Sequence, residues 1–139
     1  MNDTETSEAI DVVCALIESE QDILIAKRKN GNLAGKWEFP GGKIGNAETE
    51  KEAIVREIEE ELGCKINPLV VMKSNRHSYP NLTVNLIPII CELIEGQPKA
   101  LEHEEIRWVQ RGNIKNFDWA DADIPILENY LACKQQAQE

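Results

Sequence analysis

No stretch of the 139-residue chain reaches the ~20 consecutive apolar residues of a membrane span; the longest candidate, around residues 82–94, is interrupted by Pro88 and Glu92. Positive charge is scarce. Fifteen Lys and Arg face 25 Asp and Glu, for a net charge of -10 and a pI near 4.7, so the basic stripe that a nucleic-acid polymer would require of its partner is missing. Histidine is limited to His77 and His103, and Cys14, Cys64, Cys91 and Cys133 include no Cys-x-x-Cys. Buried free thiols are therefore expected in place of zinc or disulfides. No Pro/Gly/Ser-rich break and no internal repeat appears, which implies one domain over residues 1–139 with a flexible 1–7. Residues 1–8 (MNDTETSE) have no positive n-region and no apolar h-region; no secretory signal, and a cytoplasmic protein, are expected.

What the chain does have is alternation between strand-like and helical segments. Residues 9–17 and 22–27 are rich in β-branched and apolar residues around a short polar break, the pattern of a hairpin. Residues 65–76, 82–94 and 106–109 read as further strands, 112–117 as a short helix and about 123–135 as a final helix with Ile126, Leu127, Tyr130 and Leu131 inward. Strands on either side of a central helix, with a second helix at the end, predict an α/β fold with a mixed sheet between helices.

The central helix is the most specific segment. Thr49 and Glu52 form a capping-box pattern, Ile54, Val55, Ile58 and Leu62 make one apolar stripe, and Gly63 supplies a left-handed stop, so a helix is predicted over 49–62. At about 100° per residue, Glu57, Glu60 and Glu61 share one flank, while Glu52, Arg56 and Glu59 lie on the other. Like charges at 57 and 61 cost an isolated helix roughly 0.2–0.5 kcal/mol. Convergent carboxylates without a cation among them suit a hard divalent ion such as Mg²⁺. A solvated acidic face with Glu52–Arg56 and Arg56–Glu60 ion pairs is the competing reading from the helix alone.

The preceding segment, Trp37-Glu38-Phe39-Pro40-Gly41-Gly42-Lys43, ends in glycines that let backbone approach an ion or phosphate. Seven positions, Gly42, Glu48, Arg56, Glu57, Glu60, Glu61 and Gly63, match the spacing of the Nudix box, a coincidence of roughly one in 10⁸ from average residue usage. The chain thus resembles the Nudix hydrolases. Residues 37–43 are similar to the entry to the box in MutT-type nucleoside triphosphate pyrophosphohydrolases. Leu101-Glu102-His103-Glu104 and residues 122–127 look like the branch containing bacterial CTP pyrophosphohydrolases and 8-oxo-dGTP diphosphatases.

The resemblance implies a Nudix α/β/α sandwich and Mg²⁺-dependent (or Mn²⁺-dependent) hydrolysis of a nucleoside triphosphate at the β-phosphorus. By it, Glu57, Glu60, Glu61 and Glu102 with the Gly41 carbonyl hold metal, and Glu57, Glu60 and Glu102 carry the chemistry. Glu48 and Arg56, with Gly42, support the loop, and Arg28, Phe39 and Asp123 contact the base. The implied partner is a small nucleotide and the assembly a monomer or homodimer. Asp123 also reads as an N-cap, Phe39 as core and Arg28 as a solvated or general phosphate contact. ADP-ribose or a dinucleoside polyphosphate is the alternative substrate class, and a silent nucleotide sensor the alternative from outside enzymology.

Overall fold

A computed structural model describes residues 9–138; the expectation for residues 1–7 lies outside them. Eight strands form one mixed sheet: β1 (Ile10–Ser19), β2 (Asp22–Lys27), β3 (Trp37–Glu38), β4 (Gly41–Lys43), β5 (Lys65–Val71), β6 (Asn75–Tyr79), β7 (Leu82–Glu95) and β8 (Glu105–Gln110). Two α-helices, α1 (Glu50–Leu62) and α2 (Ile124–Gln138), complete it with 3-10 turns at Arg111–Asn116 and Asp121–Asp123.

β1 is the axis. It runs parallel to β7 over nine residue pairs from Ile10↔Val84 to Glu18↔Glu92. On its other side it pairs antiparallel with β4 through residues 12–14 and with β2 at 18–19. Because side chains alternate along a strand, Val13, Ala15 and Ile17 join one core with Ala53, Ile54, Ile58 and Leu62 of α1, whereas Cys14 and Leu16 join the other with Ile126, Leu127 and Tyr130 of α2. Both faces of the sheet are thus covered. Each fully buried Ile or Leu contributes about 1.5–3 kcal/mol through burial, so α1 is held by its stripe rather than by its charged surface.

The ends of α1 are set locally. Thr49 Oγ1 accepts from the Glu52 N–H at 3.1 Å, Glu52 Oε1 accepts from the Thr49 N–H at 2.9 Å, and Gly63 closes the helix at φ 67°.

Residues 65–76 are not one strand. They divide into β5, paired with the C-terminal half of β7, and β6, paired with its N-terminal half. The apolar run 69–72 gives way to Lys73 and Ser74, and the Met72 N–H donates to the Pro88 carbonyl at 2.8 Å where the chain bends. The segment before α1 also divides: β3 pairs with β2 and β4 with β1, so Phe39 and Pro40 carry the chain from one strand to the next.

Candidate active site

Arg56 organises the loop in front of α1. Its Nε and Nη2 donate to the two Glu48 oxygens at 2.6 and 2.9 Å, and Nη2 also reaches the Lys43 carbonyl at 3.1 Å. The Gly45 N–H donates to Glu48 Oε1 at 2.6 Å. The Arg56 hydrogen bond, with the Gly45 N–H behind it, holds the Glu48 carboxyl down to about 2. Arg56 is not confined to the opposite flank of the helix, as its spacing predicts: Nη1 donates to Glu57 Oε2 at 3.1 Å and lies 3.4 Å from Glu60 Oε1. Periodicity fixes where the side chain leaves the helix; a guanidinium on a three-carbon stem reaches across. The Glu52–Arg56 pair is replaced by the capping box, which takes Glu52.

Gly42 is required by close approach. A Cβ there would lie 2.4 Å from the Glu57 carboxylate, so any side chain displaces that acid. At Gly41 a Cβ would meet the Val13 carbonyl oxygen at 1.9 Å, because β4 is pressed onto β1.

Glu61 is the electrostatic anomaly. Its residue is 8% exposed and its Oε1 is buried with no hydrogen-bond partner. Burial first, then the adjoining Glu57 carboxylate and the charges of Glu38 and Glu102, pushes its carboxyl up to about 9. An opposite charge beside it would lower that value again.

The loop between β7 and β8 delivers two more side chains to Glu61. The N–H groups of Lys99 and Leu101 donate to the Leu62 and Glu61 carbonyls at 2.9 and 3.2 Å, satisfying acceptors that the end of α1 leaves free. The Glu104 N–H is tied to the Lys27 carbonyl at 3.0 Å. Pinned at both ends, the loop places Glu102 and His103 in a cleft of about 280 Å³ with Arg28, Lys29, Glu38, Gly41 and Glu61. Glu60 stands apart, half-exposed, on a groove outside Arg56.

A second cavity of about 690 Å³ adjoins this cleft. Val12, Leu33, Tyr79, Leu82, Val84, Leu86, Ala120 and Ala122 make it largely apolar, with Arg28, Glu38 and Asp123 among its polar groups. Asp123 precedes α2 but spends its carboxylate elsewhere: Oδ2 accepts from the buried Phe39 N–H at 2.9 Å. Burial, reinforced by the charge of Glu38, raises its pKa well above the usual carboxylate range. In its protonated form such an acid can donate as well as accept. The Phe39 ring packs into the core against Trp119, centroids 4.8 Å apart, and its backbone is what meets Asp123.

Three participants were not singled out by sequence reasoning: Glu38, His103 and Tyr79. Glu38 accepts from Arg28 Nη1 at 2.8 Å and pairs with His103 Nε2 at 2.9 Å. Tyr79 lines the apolar cavity and its hydroxyl accepts from the Ala122 N–H at 3.2 Å. For Glu38 and His103 the available signal was an acid and a histidine inside otherwise apolar or acidic runs.

Among the described residues no three His, Cys, Asp or Glu side chains are closed into a coordination cluster. Even so, the donor set fits a hard cation: carboxylates around the orphaned Glu61 oxygen, a backbone carbonyl at Gly41, and no thiol or imidazole required.

The NUDIX domain family model matches residues 12–129. The chain is 33% identical to the CTP pyrophosphohydrolase of Escherichia coli (strain K12) over 126 residues, covering 90% of this chain and 93% of that protein. It is 36% identical to the putative 8-oxo-dGTP diphosphatase 2 of Mycobacterium tuberculosis over 81% of both chains. The solution structure of the Escherichia coli ORF135 protein superposes with a TM-score of 0.82 at 31% identity, covering 96% of each chain.

Proposed function

The chain belongs to the Nudix family, whose enzymes act on small nucleotide substrates and generally need a divalent metal; on that premise we propose that it hydrolyses nucleoside triphosphates to the monophosphate and pyrophosphate. CTP, dCTP and oxidised nucleotides such as 8-oxo-dGTP are the proposed substrates; the names of the two relatives specify CTP and 8-oxo-dGTP. The observation that carries the reading is the junction of an acidic cleft with an apolar pocket, sharing Arg28 and Glu38. A triphosphate and a base are chemically opposite ends of one ligand, and this surface offers a site for each.

In this reading Glu57, Glu60, Glu61 and Glu102, with the Gly41 carbonyl, hold Mg²⁺ or Mn²⁺. When bound, the ion neutralises phosphate charge and acidifies water. Glu57, oriented by Arg56 Nη1 and packed against Gly42, is placed to take a proton, with Glu102 as the second candidate. As the water oxygen bonds to the β-phosphorus, the bond from that phosphorus to the oxygen it shares with the α-phosphate breaks, the proton passes to the carboxylate, the nucleoside monophosphate leaves and the pyrophosphate formed carries the water oxygen. Catalysis then depends on positioning and electrostatics, as in phosphoryl transfer generally, with no protein nucleophile. Glu48 and Arg56 support that geometry without touching the reacting atoms.

Base recognition falls to the apolar pocket. Asp123, if neutral, donates to a ring nitrogen or carbonyl of the base and accepts from an exocyclic amine, while Arg28 meets the phosphate side. A cytoplasmic location belongs to the same proposal and rests on the nucleotide substrates proposed above; no described helix is long and apolar enough to cross a membrane. Recovery of a processed form from outside the cell would contradict it.

The test is pyrophosphate release with Mg²⁺ or Mn²⁺ across CTP, dCTP, 8-oxo-dGTP, the common triphosphates and ADP-ribose. Release from a triphosphate, dependent on the ion, supports the proposal. Tight binding with neither pyrophosphate nor phosphate released would indicate a nucleotide sensor, and preference for ADP-ribose a different substrate class.

A further inference from the structure

The acidic cleft and the apolar pocket share Arg28 and Glu38, so a ligand occupying both crosses that pair. The Arg28 guanidinium has one hydrogen-bonded partner in its described contacts, Glu38 Oε1 at 2.8 Å, and its Nε is buried without a partner. Glu38 is itself fixed by His103, whose Nε2 lies 2.9 Å from Glu38 Oε2. His103 is 8% exposed and its Nδ1 is buried and unpartnered, an unfavourable placement beside an Nε2 that does have a partner. Glu61 Oε1 is 4.0 Å from the same Nε2, beyond hydrogen-bonding range, so the imidazole serves Glu38 rather than the carboxylates of α1.

We infer that His103 is a positioning residue for nucleotide binding: through Glu38 it fixes the Arg28 guanidinium on the wall between the two cavities. The inference rests on the reading of those cavities as phosphate and base sites. His103 transfers no proton and touches no reacting atom. Its place in the loop pinned to α1 makes the position of Arg28 depend on the same element that brings Glu102 to the cleft.

The amide geometry of two variants separates this role from simple packing. In H103Q the side-chain NH₂ falls near the original Nε2 and can donate to Glu38; in H103N it falls near Nδ1 and cannot. With CTP and Mg²⁺, H103N is expected to raise KM about tenfold with kcat within about threefold of wild type, and H103Q to recover most of the KM. Glu38→Asp, which shortens the reach to both partners, is expected to raise KM likewise and serves if H103N does not fold. In the free protein, the NMR signal of the Arg28 Nε–H, assigned by its loss in Arg28→Lys, is expected in wild type and H103Q and broadened by solvent exchange in H103N. A fall in kcat at unchanged KM, equal KM values in H103N and H103Q, a wild-type KM in Glu38→Asp, or an Arg28 signal identical in all three proteins would overturn the inference. If the wild type releases no pyrophosphate from any triphosphate, the functional reading fails, while the Arg28 signal still decides the positioning role.

Discussion

Two glutamates, Glu61 buried and Glu18 half-buried, have been given opposite surroundings. Glu18, at the end of β1, accepts from the Tyr130 hydroxyl and from Lys134 Nζ at 2.7 Å, with Arg111 Nε 3.7 Å away. Arg111 also donates to the Tyr130 oxygen at 2.9 Å, and burial together with Glu18 raises the Tyr130 pKa. Glu61, at the end of α1, has an orphaned oxygen and carboxylates for neighbours. One cluster is complete and ties α2 to the sheet. The other leaves a Glu61 oxygen without a hydrogen-bond partner, at a cost to stability that a proton or a bound cation would relieve. In the proposed reading, the satisfied carboxylate belongs to the architecture and the unsatisfied one to the site.

The sharpest way to break that contrast is at Glu57. Glu57→Gln is expected to lower kcat about 10³-fold, within the range lost with one preorganised charge in a water-poor site, with unchanged circular dichroism. Glu18→Gln should leave kcat within twofold. Comparable losses in the two variants would mean that activity follows overall stability and not the α1 flank.

The second comparison inverts the sign of the stability effect. Glu61→Gln should reduce kcat/KM about 10²-fold and yet raise the melting temperature of the metal-free protein. Glu18→Gln, which leaves Lys134 and Arg111 facing a neutral amide, should lower it by about 5–10 °C. The pH dependence has a definite direction. The folded Glu61 pKa, about 9, lies above its ordinary 4.5, so the native state binds that proton more tightly than the unfolded chain does. Its contribution is fully present below about 4.5 and is lost as pH rises towards 9. Thermal scans in chelator should show wild-type stability falling over that window more steeply than Glu61→Gln.

A smaller effect is expected at the support. Arg56→Lys keeps a charge but loses the bidentate hold on Glu48 and the reach to Glu57; a loss of about tenfold in kcat at nearly constant KM is expected, and a KM effect alone would relocate its role. Smallest is Asp123→Asn. The amide retains an acceptor for the Phe39 N–H and a donor for the pocket, so wild type should lose affinity for its base as pH rises through the raised Asp123 pKa, while the variant shows a flatter KM against pH. Parallel profiles would remove Asp123 from base reading.

Local chemistry was legible in the sequence and distant pairing was not. The limits of α1 follow from Thr49, Glu52 and Gly63, all within one turn of the ends they define, and the shared flank of Glu57 and Glu61 follows from helical geometry. The parallel pairing of β1 with β7 joins residues more than 70 positions apart, and no turn residue encodes it. The break after Val71 depends on what β7 offers each half of the segment. Glu38 and His103, 65 residues apart, acquire meaning only when the loop at 96–104 docks on the end of α1. Asp123 looked like a helix cap because its position allows one, but the backbone of Phe39 competes successfully for its carboxylate.

The most direct test is the melting temperature of wild type and Glu61→Gln at pH 8, each in chelator and in excess Mg²⁺. Glu61→Gln should melt several degrees above wild type in chelator, and Mg²⁺ should raise the wild type while moving the variant little. A variant that melts below the metal-free wild type, or that gains as much from Mg²⁺, would contradict the claim that Glu61 is buried in wait for a cation.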